Sequence, residues 1–369
     1  MPAVAAIKQH KRSIVERYAK PDNLKGTLQV LTTLLPVIGL WCVLAPGFQP
    51  SNGLVLAVTV VLSLFLLRTF VLMHDCGHGS LFRSAALNDT VGIGFGVLSS
   101  MPQYVWAQNH NYHHSTNGNW AKYRGPLAII SVDEYDTMSR WQQRVYAGLR
   151  NICLAPFGGF IYLIFNPRLT WIMGTAGLLR HIVRGKIARP GVSLRALAAE
   201  FKTPYWKSAA EYRHMTLNNL LLLSTWALMC WLMGPGLFFF VYVVSTSLAG
   251  AAGIVLFAVQ HNFEHSYASG DQGWDYDAAV IEGTSFLVLP AWLNWFTADI
   301  GYHHVHHLSA KIPNYRLVEC HLEHERLFAS VRRLTLMDVI PSLKFLLWDP
   351  QSRRIISVAE HELAMRAPA

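Results

Sequence analysis

A chain of 369 residues that is 52% hydrophobic and only 14% charged, with a mean hydropathy of +0.26, carries more apolar surface than an ordinary soluble domain needs to bury. Its net charge of +9 is not gathered in a nucleic-acid-binding motif, so nucleic acid is a poor partner for it. Five cysteines, an odd number without a CxxC pair, speak against a disulfide framework or a thiolate metal site.

In chain order, residues 1–25 are polar and basic, with no cleavable signal peptide expected there. No Asp, Glu, Lys or Arg occurs in 26–67. A membrane crossing takes roughly 20 apolar residues, so this run holds two, split by the turn signal "APGFQPSNG" at 45–53. The expected spans are 28–46 and 53–73. A long polar stretch follows. Within it, "NICLAPFGGFIYLIFNPRLTWIMG" (151–174) is apolar but interrupted by Pro156, Gly158, Gly159 and Arg168. A single crossing there would leave the chain no way back, so it reads as interfacial or re-entrant. Residues 214–263 again carry no Asp, Glu, Lys or Arg, with "MGPG" at 233–236, which gives spans 216–233 and 237–260. The stretch "IEGTSFLVLPAWLNWF" (281–296) also reads as interfacial, with Trp171, Trp292 and Trp295 suited to headgroup depth. Lys and Arg sit outside the hairpins and avoid their tips, which predicts both termini and the middle stretch in the cytoplasm. Two buried hairpins of a soluble protein are disfavoured by uncharged runs this long. The expectation is an all-α integral membrane protein of about four transmembrane helices in two hairpins under a helical cytoplasmic cap. Residues 1–320 form its domain and 321–369 a cytoplasmic C-terminal tail.

Eleven of the 17 histidines fall into four groups. "HDCGH" holds His74 and His78, and "HNYHH" holds His110, His113 and His114. "HNFEH" holds His261 and His265, and "HHVHH" holds His303, His304, His306 and His307. Residues three and four apart share one helix face. The pairs are spaced i, i+4 and the triplets i, i+3, i+4, so each group can present its imidazoles from one helix. His304 falls off that face and is expected behind the ligands or at the surface. Two groups follow the ends of spans and two lie in the connecting stretches, so all four reach one membrane face. About ten nitrogens and almost no sulfur suit two metal ions, with Fe, Zn, Cu or Ni open. Asp75, Glu264 and Asp299 are candidates to balance the metal charge from behind the ligands. His321 and His324 in "ECHLEHERL" read as part of a solvated amphipathic helix. A metal transporter would place ligands near the midplane, whereas both uncharged runs lack a group of histidines until their ends.

At these residues the chain resembles membrane fatty acid desaturases, of the bacterial and cyanobacterial acyl-lipid type with three histidine boxes. The matching segments are "HDCGHGSLF" (74–82), "HNYHHSTNGN" (110–119), "FAVQHNFEHSY" (257–267) and "NWFTADIGYHHVHHLSAKIPNYRL" (294–317). The resemblance runs from about 53 to 320. It implies a non-haem di-iron site ligated by His74, His78, His110, His113, His114, His261, His303, His306 and His307, with no catalytic residue beyond the ligands. His261 matches the family's extra ligand outside the boxes, and His265 matches no position in that set. The resemblance further implies O2 as co-substrate, a cis double bond introduced into an acyl chain of membrane lipid, and a bacterial inner-membrane location. Electrons would come from a separate donor such as ferredoxin, or cytochrome b5, with its reductase, because no fused cytochrome b5 motif is present. A dry tunnel lined by the helix ends, 90–106 and 281–296 would hold the chain. A hydroxylase or ketolase acting on alkane, carotenoid or sphingolipid would share the iron cage.

Overall fold

The computed structural model describes residues 2–125 and 127–366. Helix α1 (Pro2–Tyr18) precedes a hairpin of α2 (Asn23–Val43) and α3 (Asn52–His78). Asp22 caps α2 by accepting from the amides of Leu24 and Lys25, and Ser51 caps α3 at Leu54; such side chains satisfy amides the helix leaves free. Helix α3 runs on past the expected end at 73 and stops at Gly79, whose φ of +66° is the left-handed conformation that glycine adopts without strain. The "HDCGH" group is thereby the last turn of the span.

Two shorter helices, α4 (Ala85–Leu98) and α5 (Gln103–Thr116), lead to α6 (Val132–Asp136) and α7 (Arg140–Gly148). Next come α8 (Ala155–Gly159), a π-helical segment at Phe160–Phe165, α9 (Asn166–Ala188) and α10 (Leu194–Glu200). A second long hairpin pairs α11 (Ala209–Met233) with α12 (Pro235–His261). The cap adds α13 (Tyr276–Glu282), α14 (Ala291–Phe296), α15 (His303–Leu308) and α16 (Leu317–Glu323).

Five helices are long and apolar enough to cross a membrane: Asn23–Val43, Asn52–His78, Ile152–Ala188, Ala209–Met233 and Pro235–His261. Four correspond to the expected spans: three enclose them, and the first is shifted from 28–46 to Asn23–Val43. The fifth starts in the stretch expected to be interfacial and extends well past 174. Pro156 does not break it, because it lies in the first turn of α8, where its missing amide has no helical partner to lose. Gly159 has a packing role: a Cβ there would lie 2.2 Å from the Ser247 carbonyl oxygen and 2.7 Å from the Ala251 nitrogen of α12. Leu28, Leu31, Leu35 and Ile38 are exposed on α2, and Leu221, Leu228 and Trp231 on α11. A lipid solvent accepts such faces at no cost.

Helices α2, α3 and α12 share the main core, with Leu62, Leu66 and Leu72 packed with Val37, Phe238 and Val241. Arg68, which ends the first uncharged run, is buried, and its Nε donates to Thr33 Oγ1 (3.0 Å). Its guanidinium lies over the Trp295 ring and donates to the Trp295 carbonyl, which ties α14 to the spans. A second core joins Ile7, Ile14 and Tyr18 of α1 to Val305, Leu308 and Cys320 of the cap. Lys8–Asp275, Lys11–Asp277 and Arg17–Glu323 ion pairs hold α1 across α13 and α16.

The cap is not wholly helical. Strand β1 (Ile130–Ser131) pairs in parallel with β4 (Phe345–Asp349), which pairs antiparallel with β5 (Arg354–Ser357); β2 (Ser285–Leu287) pairs in parallel with β3 (Arg332–Leu334). Phe328 and Val331 belong to the second core. Residues after 320, expected as a tail, are thus woven into the cap. Among the cysteines, Cys76 and Cys320 are buried while Cys42 and Cys153 are exposed.

Candidate metal centre

Four helices bring nine buried histidines into two clusters. One holds His74 and His78 of α3, His110 and His114 of α5, and His306 of α15. The other holds His113 of α5, His261 of α12, and His303 and His307 of α15. Within each cluster one nitrogen per ring lies within 4.8 Å of all the others. The helical period explains the division. His110 and His114 are one turn apart and share a cluster, as do His303 and His307. Neighbours in sequence point about 100° apart on a helix, so the doublets His113–His114 and His306–His307 each serve both clusters.

The nitrogens face one another. His114 Nε2 lies 3.0 Å from His110 Nε2 and 2.9 Å from His306 Nε2. His261 Nε2 is 2.9 Å from His303 Nε2, and His113 Nε2 is 3.2 Å from His307 Nε2. A neutral ring nitrogen is a donor or an acceptor, never both, so hydrogen bonds alone pair such a ring poorly. A shared cation would satisfy the lone pairs turned towards it. Nitrogens about 2.1 Å from one ion and at right angles would be about 3.0 Å apart, close to the spacings seen. His78 Nε2 is buried with no hydrogen-bond partner, as an unused ligand atom would be. These residues fit a pair of metal ions.

Groups behind the rings fix their orientation. His74 Nδ1 lies 2.9 Å from Asp75 Oδ1, and Asp75 Oδ2 accepts from the Asn314 amide at 3.0 Å. His261 Nδ1 donates to the Gly283 carbonyl at 3.1 Å. A carbonyl only accepts, so the proton sits on Nδ1 and the His261 Nε2 lone pair faces the cluster. Tyr276 donates to the His307 carbonyl (2.9 Å), and Lys311 Nζ to the His78 carbonyl (2.6 Å). Burial, reinforced by neighbouring imidazoles, holds His110, His113, His114, His303, His306 and His307 well below the ordinary imidazole range. They are therefore neutral at pH 7, with lone pairs available for a metal.

The remaining candidates lie elsewhere. His265 stands outside both clusters, 3.4 Å from Glu360, because α12 ends at His261 and His265 itself has φ +62°. The i, i+4 relation needs a helix that is not there. Glu264 pairs with Arg332 at the surface (3.0 Å). Asp299 lies near Arg68, and burial pushes its carboxyl up to about 6. His304 is fully buried, not at the surface, and its Nε2 meets His321 Nδ1 at 2.8 Å. His321 is therefore a buried residue too, and the outward face of this segment is formed by Glu319, Leu322, Glu323, Glu325 and Arg326.

An aromatic wall that the histidine spacing did not announce closes one side. Trp106 stacks on His110 with ring centres 4.5 Å apart, and Phe257 and Tyr123 lie against His113 at 4.9 and 4.8 Å. Trp106 Nε1 donates to Tyr162 Oη (2.9 Å) on the π-helical segment. Trp106 and Phe257 stand four residues before His110 and His261, so the same helix-face rule could have found them.

Fold and site together define a helical protein of membrane character with two buried histidine clusters fit for metal. The family described as Fatty acid desaturase matches residues 51–336. A "Fatty acid desaturase" of Bacillus subtilis is 33% identical over 93% of this chain and 88% of its own length. An "sn-1 oleoyl-lipid 12-desaturase" of Picosynechococcus is 25% identical over 80% of this chain and 75% of its own. The chain belongs to the fatty acid desaturase family, whose members are oxidoreductases acting on lipid acyl chains.

Proposed function

We propose that the protein is an O2-dependent desaturase that introduces a cis double bond into an acyl chain of membrane lipid at a di-iron site. The observation that carries this reading is the pair of buried clusters, five histidines and four, in a chain of this family. Irons held there would activate O2, which takes two electrons from an external donor and two hydrogens from adjacent methylenes and leaves, with two protons, as two waters. The chain's own residues supply position and dryness. Trp106, Tyr123 and Phe257 give the substrate an apolar wall beside the nitrogens and keep water out. Tyr162, hydrogen-bonded to Trp106 and 42% exposed on the outer surface, marks the side from which an acyl chain would enter. Attack on one unactivated methylene among many needs placement to within about an ångström.

Topology supports four crossings. Helices α3 and α12 both end at the clusters, and each is the return arm of a hairpin. Residues 79–208 therefore begin and end on one membrane face, and the single long helix Ile152–Ala188 cannot cross alone. It lies in the near leaflet. The basic residues outside the hairpins favour the cytoplasm for this face, where an acidic ferredoxin, or a cytochrome b5, would dock.

The test is acyl-chain profiling by gas chromatography and mass spectrometry. The protein is expressed in a bacterium without polyunsaturated lipids and supplied with a ferredoxin system. A new unsaturated species with wild type, absent with His306→Ala, is expected. A hydroxylated chain, or no new species with iron bound, would overturn desaturation and favour a related hydroxylase.

A further inference from the structure

We propose that the groove along the last turns of α9, beside α10, binds the headgroup of an anionic phospholipid, with Arg180 and Arg184 on its phosphate. The groove is a cavity of about 370 Å³ lined by Gly177, Arg180, His181, Arg184, Gly185 and Arg189. Two of these are glycines that admit α10 and the chain after it. A Cβ on Gly185 would lie 2.6 Å from Leu197 Cδ2, and one on Gly177 3.2 Å from Phe201.

The cations are not equivalent. Arg189 is neutralised by Glu200 at 2.6 Å. Arg180 and Arg184 are exposed and have no acidic partner among the described residues. His181 Nε2 is buried without a hydrogen-bond partner. Two free guanidiniums and an unpaired imidazole nitrogen on one groove make a site for an oxyanion, and the guanidinium fork matches phosphate geometry.

Position and neighbours select a lipid as the source. Leu179, Val183 and Ile187 are 57, 57 and 77% exposed and form an apolar ridge along α9 beside the arginines. A soluble anion has no use for that ridge, whereas acyl chains do. The depth also fits. Trp171 bonds Thr216, and Thr175 bonds Tyr212, at the start of α11, just where its uncharged run begins after Arg213. Lying along the near leaflet, α9 turns its ridge to the acyl layer and carries Arg180 and Arg184, about 8 and 14 Å along the helix from Thr175, within reach of the headgroups. Basic pockets at this level are suited to anionic headgroups.

The inference needs the membrane placement of α9 and not the reaction, so it stands or falls separately from desaturation. The full chain is reconstituted in nanodiscs of equal phosphatidylcholine and phosphatidylglycerol, and retained lipids are read by native mass spectrometry. Wild type is expected to retain phosphatidylglycerol preferentially. Arg180→Gln/Arg184→Gln should lower that preference roughly tenfold. Arg326→Gln/Lys344→Gln, which removes two other exposed cations, should leave it unchanged. The ratio of the two lipids is read only on folded protein, so a change in yield does not enter. Excess inorganic phosphate should leave the lipid adducts in place. An unchanged ratio in the groove variant, an equal fall in the control variant, or displacement by free phosphate would each overturn the proposal.

Discussion

His113 and His114 stand side by side on α5, yet His113 Nε2 lies 3.2 Å from His307 in one cluster and His114 Nε2 lies 2.9 Å from His306 in the other. The doublets His113–His114 and His306–His307 thus meet pairwise, one pair in each cluster, so two adjacent positions on each helix serve both sites. His113→Ala should therefore empty mainly the four-histidine cluster, and His114→Ala mainly the five-histidine cluster. On the proposed di-iron reading, each variant is expected to insert in the membrane, to fall from two irons per chain towards one, and to lose at least about 100-fold in activity. Iron content by elemental analysis checks this. Full loading in both variants would sink the ligand assignment.

Asp75 holds His74 from behind, with its other oxygen taken by the Asn314 amide. A carboxylate there favours the proton on His74 Nδ1 and would strengthen Nε2 as a ligand to the proposed metal. Asp75→Asn preserves the shape and removes that charge. Iron affinity is expected to fall about 10–100-fold while the fold is kept, as measured by competition with a chelator. Unchanged affinity would make the carboxylate a purely structural partner of Asn314.

Much of this site was legible because helical spacing is local. The HxxHH triplets and the pair in "HDCGH" lie on α3, α5 and α15, and the face rule held for each. The rule failed at His265 because Asn262, with φ −103° and ψ 89°, ends α12 first. Histidine spacing does not encode where a helix ends. His321 was misread for a similar reason. An amphipathic pattern shows that one face is buried, but the partner that buries it, His304, lies 17 residues away in sequence. The long helix through α8 and α9 was hidden because glycine and proline usually break helices. Here Gly159 serves a close crossing with α12 instead.

Asp299 gives a pH dependence. Burial raises its carboxyl from 3.8 to about 6 against the opposing pull of Arg68. The folded form therefore holds this proton more tightly than the unfolded chain does. Stability from this group falls as pH climbs from 3.8 to about 6 and is flat on either side. Asp299→Asn removes the charge and tolerates the φ of +56°, since asparagine also enters the left-handed region. Thermal unfolding in detergent should show wild type and variant alike below this window and the variant more stable above it. A less stable variant at high pH would mean that attraction to Arg68 outweighs burial.

His304 shares the "HHVHH" run with three cluster members but turns the other way. Its ring packs against Phe328, with centres 4.9 Å apart, and its Nε2 meets His321. Removing it would leave a cavity in the second core and a buried imidazole without its partner. His304→Ala is expected to lower stability by about 2–4 kcal/mol while both irons stay bound and substantial activity remains below the unfolding temperature. Thermal midpoint and iron content, measured on the same preparation, separate the two roles. A stable protein that has lost iron would make His304 a ligand, and the cluster assignment would have to be redrawn around it.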